Sequence, residues 1–571
     1  MVTGRLRSEE ANWQSSKLQN SSKNPAEQWR NILGWLGWKN SGAPTQLFYE
    51  GKLLSKPVDI ANCQNQYFID KVKNILLGMP APVSDPLSKL KLLMRNRSSV
   101  FSLNSAHPNE IQNIILQLKN SKSTGLDTID TYILKCSLAY ILPAVTHIVN
   151  LSLNSGIFPS KWKTAKVIPL FKSGDSLNPK NYRPVAMLPI LSKVLEKVVF
   201  CQVSKYMEKN SLMHPNHHGF RQNHSTATCL IQLYDKWVEA LEERKFTGVC
   251  FLDLSAAFDV VNHSLLIKKL SLYGFDEKSI KWIESYLKDR KQTVCIEGKL
   301  SKVLSVTTGV PQGSILGPLL YTIFTNELPE IVHNHVGHLS HFQSSCNMCG
   351  SLCCYADDSS FSFSSQSIET IQDQLHLKYR DVSEYMVNNR LKLNSDKTHL
   401  MLLGTDKAWR SKLTGDSLKL STDPDMDMIK TSRCEKVLGC IVSQNLKWAD
   451  HILLNEKSLV RQLTTRLSAL KSISASANFK TRLMFANGIF LSKLAYAMPV
   501  WGGCEEYLVR SLQIVQNKAA RLVCRKGIYT PISTLLGECN WLSVSQLIVY
   551  HSLVLLYKVQ KCHEPKYLYG L

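Results

Sequence analysis

The chain has 571 residues, too many for one ordinary domain, and is 44% hydrophobic and 20% charged, the proportions of a folded globular protein rather than a disordered or fibrous one. Its 68 Lys and Arg against 45 Asp and Glu leave a formal charge of +23, which points to a polyanionic partner, nucleic acid ahead of an anionic membrane, or else to a basic globular enzyme. The polar opening MVTGRLRSEEANWQSSKLQNSSK lacks the apolar segment of a secretory signal, and no run of 18 uninterrupted apolar residues occurs; no membrane association is expected, and the 16 Cys are expected to be reduced thiols of an intracellular protein.

Residues 1–100 are weakly patterned. Polar stretches flank an aromatic patch from Trp29 to Trp38, and the Pro-bearing run from Met79 to Pro86 reads as a linker, so 1–100 is expected to be a leader or linker region with a few helices. From about residue 107 apolar residues recur at helical spacing, and a helix is predicted from Thr131 to Ser155, ended by Gly156 and Pro159. KTAKVIPLFKSGD and NYRPVAML read as two strands of a hairpin that would gather Lys166, Lys172 and Arg183. Two long helices follow, the second with Ser225 and Thr226 as candidate caps.

TGVCFLDL is apolar throughout, as a central strand should be, and ends at Asp253. Two short helices and a hairpin (QTVCIEG to KVLSVTT) lead to TGVPQGSILGPLLY, a loop opening a helix. CCYADDSSFSFS reads as strand, turn, strand; a long helix, the strand THLMLLG and a short strand VLGCIV come next. Almost everything after about residue 445 is helical, and no internal repeats occur. The order is α+β followed by an all-helical end.

Three carboxylates carry the chemistry. Asp253 ends a buried strand, where an unpaired charge is costly unless it meets water, a cation or a donor, and Asp357 and Asp358 occupy a predicted turn. Oxygen ligands in such a group suit Mg²⁺, and two such ions about 4 Å apart activate an attacking oxygen and stabilise a leaving one. Asp-Asp before Ser-Ser is also an ordinary turn composition; the strand-terminal Asp253 and the Gly-rich loop between them favour the catalytic reading.

In register, FLDLSAAFDVVNH, TGVPQGSILGPLLY, YADD and NRLKLNSDKTHLM resemble the palm motifs of a reverse transcriptase. WKTAKVIPLFKSGD, NYRPVAMLPILSKVLEK and HHGFRQNHSTAT resemble the fingers motifs of reverse transcriptases of non-LTR (LINE-type), jockey-like retrotransposons. KSTGLDTID is similar to the segment before those fingers, and VLGCIV with LKWADHI to the primer grip. The resemblance covers roughly residues 30–565 and is continuous from 107 to 450.

It implies a right-hand polymerase: fingers and palm over 101–405, with an antiparallel palm sheet, a primer-grip region over 406–450 and a helical thumb or C-terminal region over 451–571. It implies RNA-directed DNA synthesis with an RNA template, a DNA primer or target site, deoxynucleoside triphosphates (dNTPs) and two Mg²⁺, with Mn²⁺ as a substitute. Asp253 and Asp357 would hold both metals and Asp358 would assist. Lys166 and Arg183 would clamp the triphosphate, with Lys172 a less certain partner, and Leu254 would offer its backbone amide. Phe258 would fall at the steric gate against a ribose 2′-OH, Gln312 and Gly313 would approach the nucleotide or template, and Lys397 would be a candidate general acid for pyrophosphate. An RNA-dependent RNA polymerase shares the palm but is disfavoured by Phe258; an inactive RNA-binding remnant is the other alternative. The family also implies an intracellular ribonucleoprotein of cytoplasm and nucleus.

Two departures stand out. The endonuclease motifs of full-length family members are not found before residue 100, so a shortened chain is expected and target nicking in cis is not. An insert, EIVHNHVGHLSHFQSSCNMCGSLCC, offers His333, His335, His338, His341, Cys346 and Cys349; His338, His341, Cys346 and Cys349 form a candidate structural zinc site, while Cys353 and Cys354 read as strand residues entering the turn.

Overall fold

The protein is described by a computed structural model covering residues 42–332 except 122, 350–404 and 430–569, with parts of 9–36. The candidate zinc ligands His338, His341, Cys346 and Cys349 lie outside the described residues.

The apolar strand Phe246–Leu252 is central in a five-stranded sheet. It pairs antiparallel with Asp358–Ser365 on one side and His399–Leu403 on the other. Ser351–Tyr355 lies antiparallel beyond Asp358–Ser365, and Lys430–Thr431 lies parallel to His399–Leu403 at the opposite edge. Alternation along the central strand feeds two cores: Cys250 and Leu252 join one, Val249 the other. The helix Ile368–Asn388 covers the first face so closely that a Cβ on Gly248 would lie 2.4 Å from Ile371. The helix Thr226–Glu242 covers the second; Ser225 starts it with a capping box, its side chain accepting from the Thr228 N–H.

A second, mixed sheet holds the basic hairpin. Thr164–Phe171 pairs antiparallel with Tyr182–Met187 and parallel with Arg290–Ile296, which is flanked by Lys299–Leu300 and Leu304–Val306. Its buried face (Ala165, Val167, Ala186, Val294) packs on Ile60, Ala61 and Phe68 of the helix Pro57–Leu77. Asn65 of that helix donates to Ser301 Oγ at 2.9 Å and the Lys302 carbonyl at 2.8 Å. This corrects the reading of 1–100 as leader and linker: the helix is a structural layer of the second sheet. The Pro-bearing run is tied down too, since the Val83 N–H donates to Asn388 Oδ1 at 2.7 Å.

Two further expectations change in detail. The helix predicted over 131–155 is two, Thr131–Cys136 and Leu138–Ser155, interrupted at Ser137, whose hydroxyl bonds back to the Ile133 carbonyl at 2.8 Å. Gly156, at φ +71°, ends the second as expected. VLGCIV is not one strand but the turn of a hairpin, Cys434–Val437 with Cys440–Ser443.

The C-terminal part is helical. Leu459–Ser474 and Glu506–Cys524 pack through Leu463, Leu467, Leu470, Leu512, Val515 and Ala519, leaving Arg461, Lys471, Arg510 and Lys518 outside. Among the described residues no single helix is long and apolar enough to cross a membrane; Ile532–Cys539 with Val544–Cys562, bent by 41°, meets that test of length and composition only as a pair.

Candidate active site

Strand register brings the three carboxylates together. Leu252 pairs with Ser359, and Asp358 pairs with Tyr355 across the tight turn, so Asp253, one residue beyond Leu252, emerges beside Asp357 and Asp358. Asp357 is exposed, Asp358 reaches solvent with its carboxyl partly covered, and the turn places Ala356 at φ +59°. Burial, then the charges of Asp357 and Asp253, push the Asp358 carboxyl above its usual range. Hard oxygens of three gathered carboxylates, open to water, fit a divalent cation such as Mg²⁺.

Asp253 is oriented from one side. Asn394 Nδ2 donates to Asp253 Oδ2 at 3.0 Å, the Asn394 N–H donates to the Asp253 carbonyl at 2.9 Å, and Lys397 Nζ lies 3.5 Å from Oδ2. Lys397, the candidate general acid, thus stands beside Asp253. Leu254 forms a bridge with Leu393 that uses the backbone of Asp253 and Ser255, which leaves the Leu254 N–H directed away from that ladder.

The back of the carboxylate turn is strapped by Asn216 to Phe220. The His218 N–H donates to the Cys354 carbonyl at 2.8 Å and the Cys354 N–H to the Asn216 carbonyl at 2.9 Å. A Cβ on Gly219 would lie 2.3 Å from Ala356 N, so this contact demands glycine.

The Gly-rich loop is wedged between residues 258–261 and the edge of the basic hairpin. The Val310 N–H donates to the Phe258 carbonyl at 2.8 Å, and the Ala186 N–H donates to the Gln312 carbonyl at 2.8 Å. Gly313, at φ +122°, passes so close that a Cβ would sit 2.4 Å from the Ala186 carbonyl oxygen. Gln312 does not stand free: its Nε2 donates to Asp259 Oδ1 at 2.8 Å. Phe258 stacks on Tyr321 at 4.6 Å between centroids, with Phe220 edge-on at 6.1 Å, which fixes its ring on the floor near the carboxylates.

The hairpin separates its basic residues. Arg183 pairs with Leu170, and the Lys172 N–H donates to the Asn181 carbonyl at 2.8 Å, so Arg183 and Lys172 share one end. Lys166 pairs with Met187, four positions or about 13 Å along the strand from Leu170. Burial and the nearby charges of Lys397 and Arg183 lower the Lys172 ammonium, against the opposing pull of Asp253. The triphosphate clamp expected from Lys166 with Arg183 is corrected accordingly: the pair beside each other is Lys172 and Arg183.

Some residues of the site escaped sequence reading. Glu196, fully buried, accepts from the Ile315 N–H at 2.8 Å and the Leu316 N–H at 3.2 Å, so its carboxylate anchors the start of the helix Leu316–Phe324. Asn394 and Asp259 orient Asp253 and Gln312. All three sit inside the motifs quoted above, but only tertiary contacts reveal their partners.

Burial raises the Asp259 carboxyl to about 6. A carboxyl raised in the folded state contributes stability that is present below its unfolded value, near 4, and is lost as pH climbs through 6. Asp259→Asn is therefore expected to gain on wild type in thermal unfolding as pH rises from about 4 to about 7; parallel profiles across that window would contradict the assignment.

A glycine-wedged loop and a basic hairpin around carboxylates at the ends of antiparallel strands form an arrangement suited to metal-assisted phosphoryl chemistry. Residues 171–442 match the family described as reverse transcriptase (RNA-dependent DNA polymerase). Among the relatives, the chain is 26% identical over 448 residues to the "Probable RNA-directed DNA polymerase from transposon BS" of Drosophila melanogaster, covering 78% of this chain and 47% of that protein. It is 28% identical over 422 residues to the "RNA-directed DNA polymerase from mobile element jockey" of Drosophila funebris, covering 72% of this chain and 43% of that protein. The chain thus spans about half the length of the curated relatives it matches. Residues 171–442 therefore carry a reverse transcriptase domain, and the chain is similar to the RNA-directed DNA polymerases of LINE-type, jockey-like non-LTR retrotransposons.

Proposed function

We propose that this chain is an RNA-directed DNA polymerase that extends a DNA 3′ end on an RNA template with dNTPs. The observation that carries the reading is the convergence of Asp253, Asp357 and Asp358 at one end of the antiparallel sheet, beside Phe258 and the Gly-rich loop. In this reading that sheet is the palm, the mixed sheet belongs to the fingers, and the helices from Leu459 onward form a thumb whose outer cations follow a duplex backbone.

Asp253 and Asp357 would hold two Mg²⁺, or Mn²⁺ in their place, with Asp358 assisting. When bound, those ions lower the pKa of the primer hydroxyl and neutralise charge on the leaving oxygen. The chain's own residues do the rest. Asn394 and Lys397 keep Asp253 aimed, and Lys172 and Arg183 neutralise the triphosphate, Arg bidentately and Lys as a point charge. The primer 3′ hydroxyl would lose its proton to water as its oxygen attacks the α-phosphorus in line, the bond to pyrophosphate would break, and Lys397 would protonate the departing group. Lys166, at the far end of the hairpin, is assigned to template or triphosphate contact only through its motif. The working form is a ribonucleoprotein that reaches nuclear DNA.

In this reading the Phe258 ring, braced by Tyr321, is the group that excludes a ribose 2′-OH. Wild type is expected to extend a primer on RNA with dNTPs and to reject ribonucleotides. Phe258→Ala should relax that choice by about 10-fold or more, the cost of about 1.4 kcal/mol of lost discrimination. Unchanged discrimination would remove Phe258 from the gate, and extension with ribonucleotides by wild type would overturn the deoxynucleotide reading.

A further inference from the structure

Behind the carboxylate turn, in a region the polymerase reading leaves unused, three side chains meet. They are His218 of the strap, Cys229 of the helix Thr226–Glu242, and Cys353 of the strand that enters the turn. All are buried, at 0%, 2% and 3% exposure. Their candidate ligand atoms lie within 4.8 Å of one another, and the two sulfurs are 3.4 Å apart.

The hydrogen bonds around them settle the imidazole. Asn216 Nδ2 donates to the Leu352 carbonyl at 3.0 Å, which leaves Asn216 Oδ1 to accept from Gln232 Nε2 at 3.0 Å. The Gln232 oxygen must then accept, and it does so from His218 Nε2 at 2.5 Å. The proton therefore sits on Nε2, and Nδ1 keeps a lone pair. That Nδ1 is buried without a hydrogen-bond partner. A neutral imidazole held by an outer hydrogen bond on one nitrogen, with the other presented to two thiols, is how proteins prepare a histidine for a metal.

We propose that His218, Cys229 and Cys353 bind one Zn²⁺ ion that staples the strap, the helix and the catalytic hairpin together. Two sulfurs bound at about 2.3 Å in a tetrahedral array stand about 3.8 Å apart, so the present separation needs to open by only a few tenths of an ångström. Binding displaces the two thiol protons to solvent. Two thiolates and one divalent cation then sum to zero charge, which a dry interior tolerates. The Lys236 ammonium donates to Ser351 Oγ at 3.0 Å, two residues before Cys353 on the same strand. The site lies outside the His338 to Cys349 segment, it does not depend on the polymerase reading, and its role is to hold the turn rather than to touch substrate.

The test is the metal content of the full chain purified in zinc-supplied medium. A Cys346→Ser/Cys349→Ser variant is expected to keep one zinc per chain, and adding Cys229→Ser/Cys353→Ser should remove it. Should the fourfold variant fail to fold, Co²⁺ added to the metal-depleted Cys346→Ser/Cys349→Ser chain gives the answer, because ligation by Cys229 and Cys353 produces a thiolate-to-cobalt charge-transfer band. Zinc that vanishes with Cys346 and Cys349 alone, absence of the band, or a Cys229–Cys353 disulfide in a non-reduced digest would each overturn the proposal.

Discussion

Asp357→Asn is expected to lower RNA-templated extension about 10³-fold or more, about 4 kcal/mol of transition-state stabilisation, without destabilising the folded chain. The two halves of the expectation have one cause. Asp357 is exposed, and its charge is one of those that raise the Asp358 carboxyl. A carboxyl raised in the folded state weakens the fold as pH rises through its titration, so removing the neighbouring charge relieves the fold above that range. The same charge is what a divalent cation requires. Unfolding in the presence of a chelator at pH 7 should therefore show Asp357→Asn as stable as wild type or more so, while extension with Mg²⁺ collapses. A melting temperature that falls in step with activity would assign Asp357 a structural role instead.

Glu327→Ala is expected to be the most damaging single substitution for stability, costing about 3–5 kcal/mol. Lys269 and Glu327 form an ion pair with no side-chain exposure on either partner. Lys269 Nζ also donates to the Phe324 carbonyl at 2.6 Å and lies 4.5 Å from the Phe324 ring. The pair joins the helix His263–Leu272, downstream of Asp253, to the end of the helix that the Gly-rich loop opens. Without Glu327 the ammonium is left buried, and burial already lowers its pKa. Lys269→Met/Glu327→Leu removes both charges and should recover most of the loss, since an apolar pair carries no desolvation cost. The midpoint of urea unfolding across the two variants measures this; a loss below about 1 kcal/mol in Glu327→Ala would mean that water reaches the pair.

What the sequence made legible follows from local chemistry. An all-apolar strand ending in Asp253 reads as central because only a strand covered on both faces tolerates that composition, and Phe246–Leu252 is such a strand. Ser225 reads as a cap because its hydroxyl has one natural use ahead of an amphipathic run. What stayed hidden depends on distant partners or on register. Helix Pro57–Leu77 buries Ile60 and Phe68 against a sheet that begins about a hundred residues later, and its own pattern does not name that partner. Lys166 and Lys172 look equivalent on one hairpin until the pairing of Leu170 with Arg183 shows which lies beside the arginine. The break at Ser137 turns on a hydroxyl that competes for a carbonyl, a choice that helical periodicity does not record. His218 and Cys229 gain meaning only when the strap and the helix meet Cys353.

The proposal that the strand-end carboxylates copy RNA into DNA is open to direct measurement. Its most direct test is extension of a labelled DNA primer on an RNA template with dNTPs and Mg²⁺, wild type beside Asp357→Ala/Asp358→Ala. Template-directed extension by wild type is expected, abolished by chelation and absent from the variant, with both proteins binding the primer–template. Wild type that binds the primer–template but adds no nucleotide, or a variant that extends as well as wild type, would contradict it.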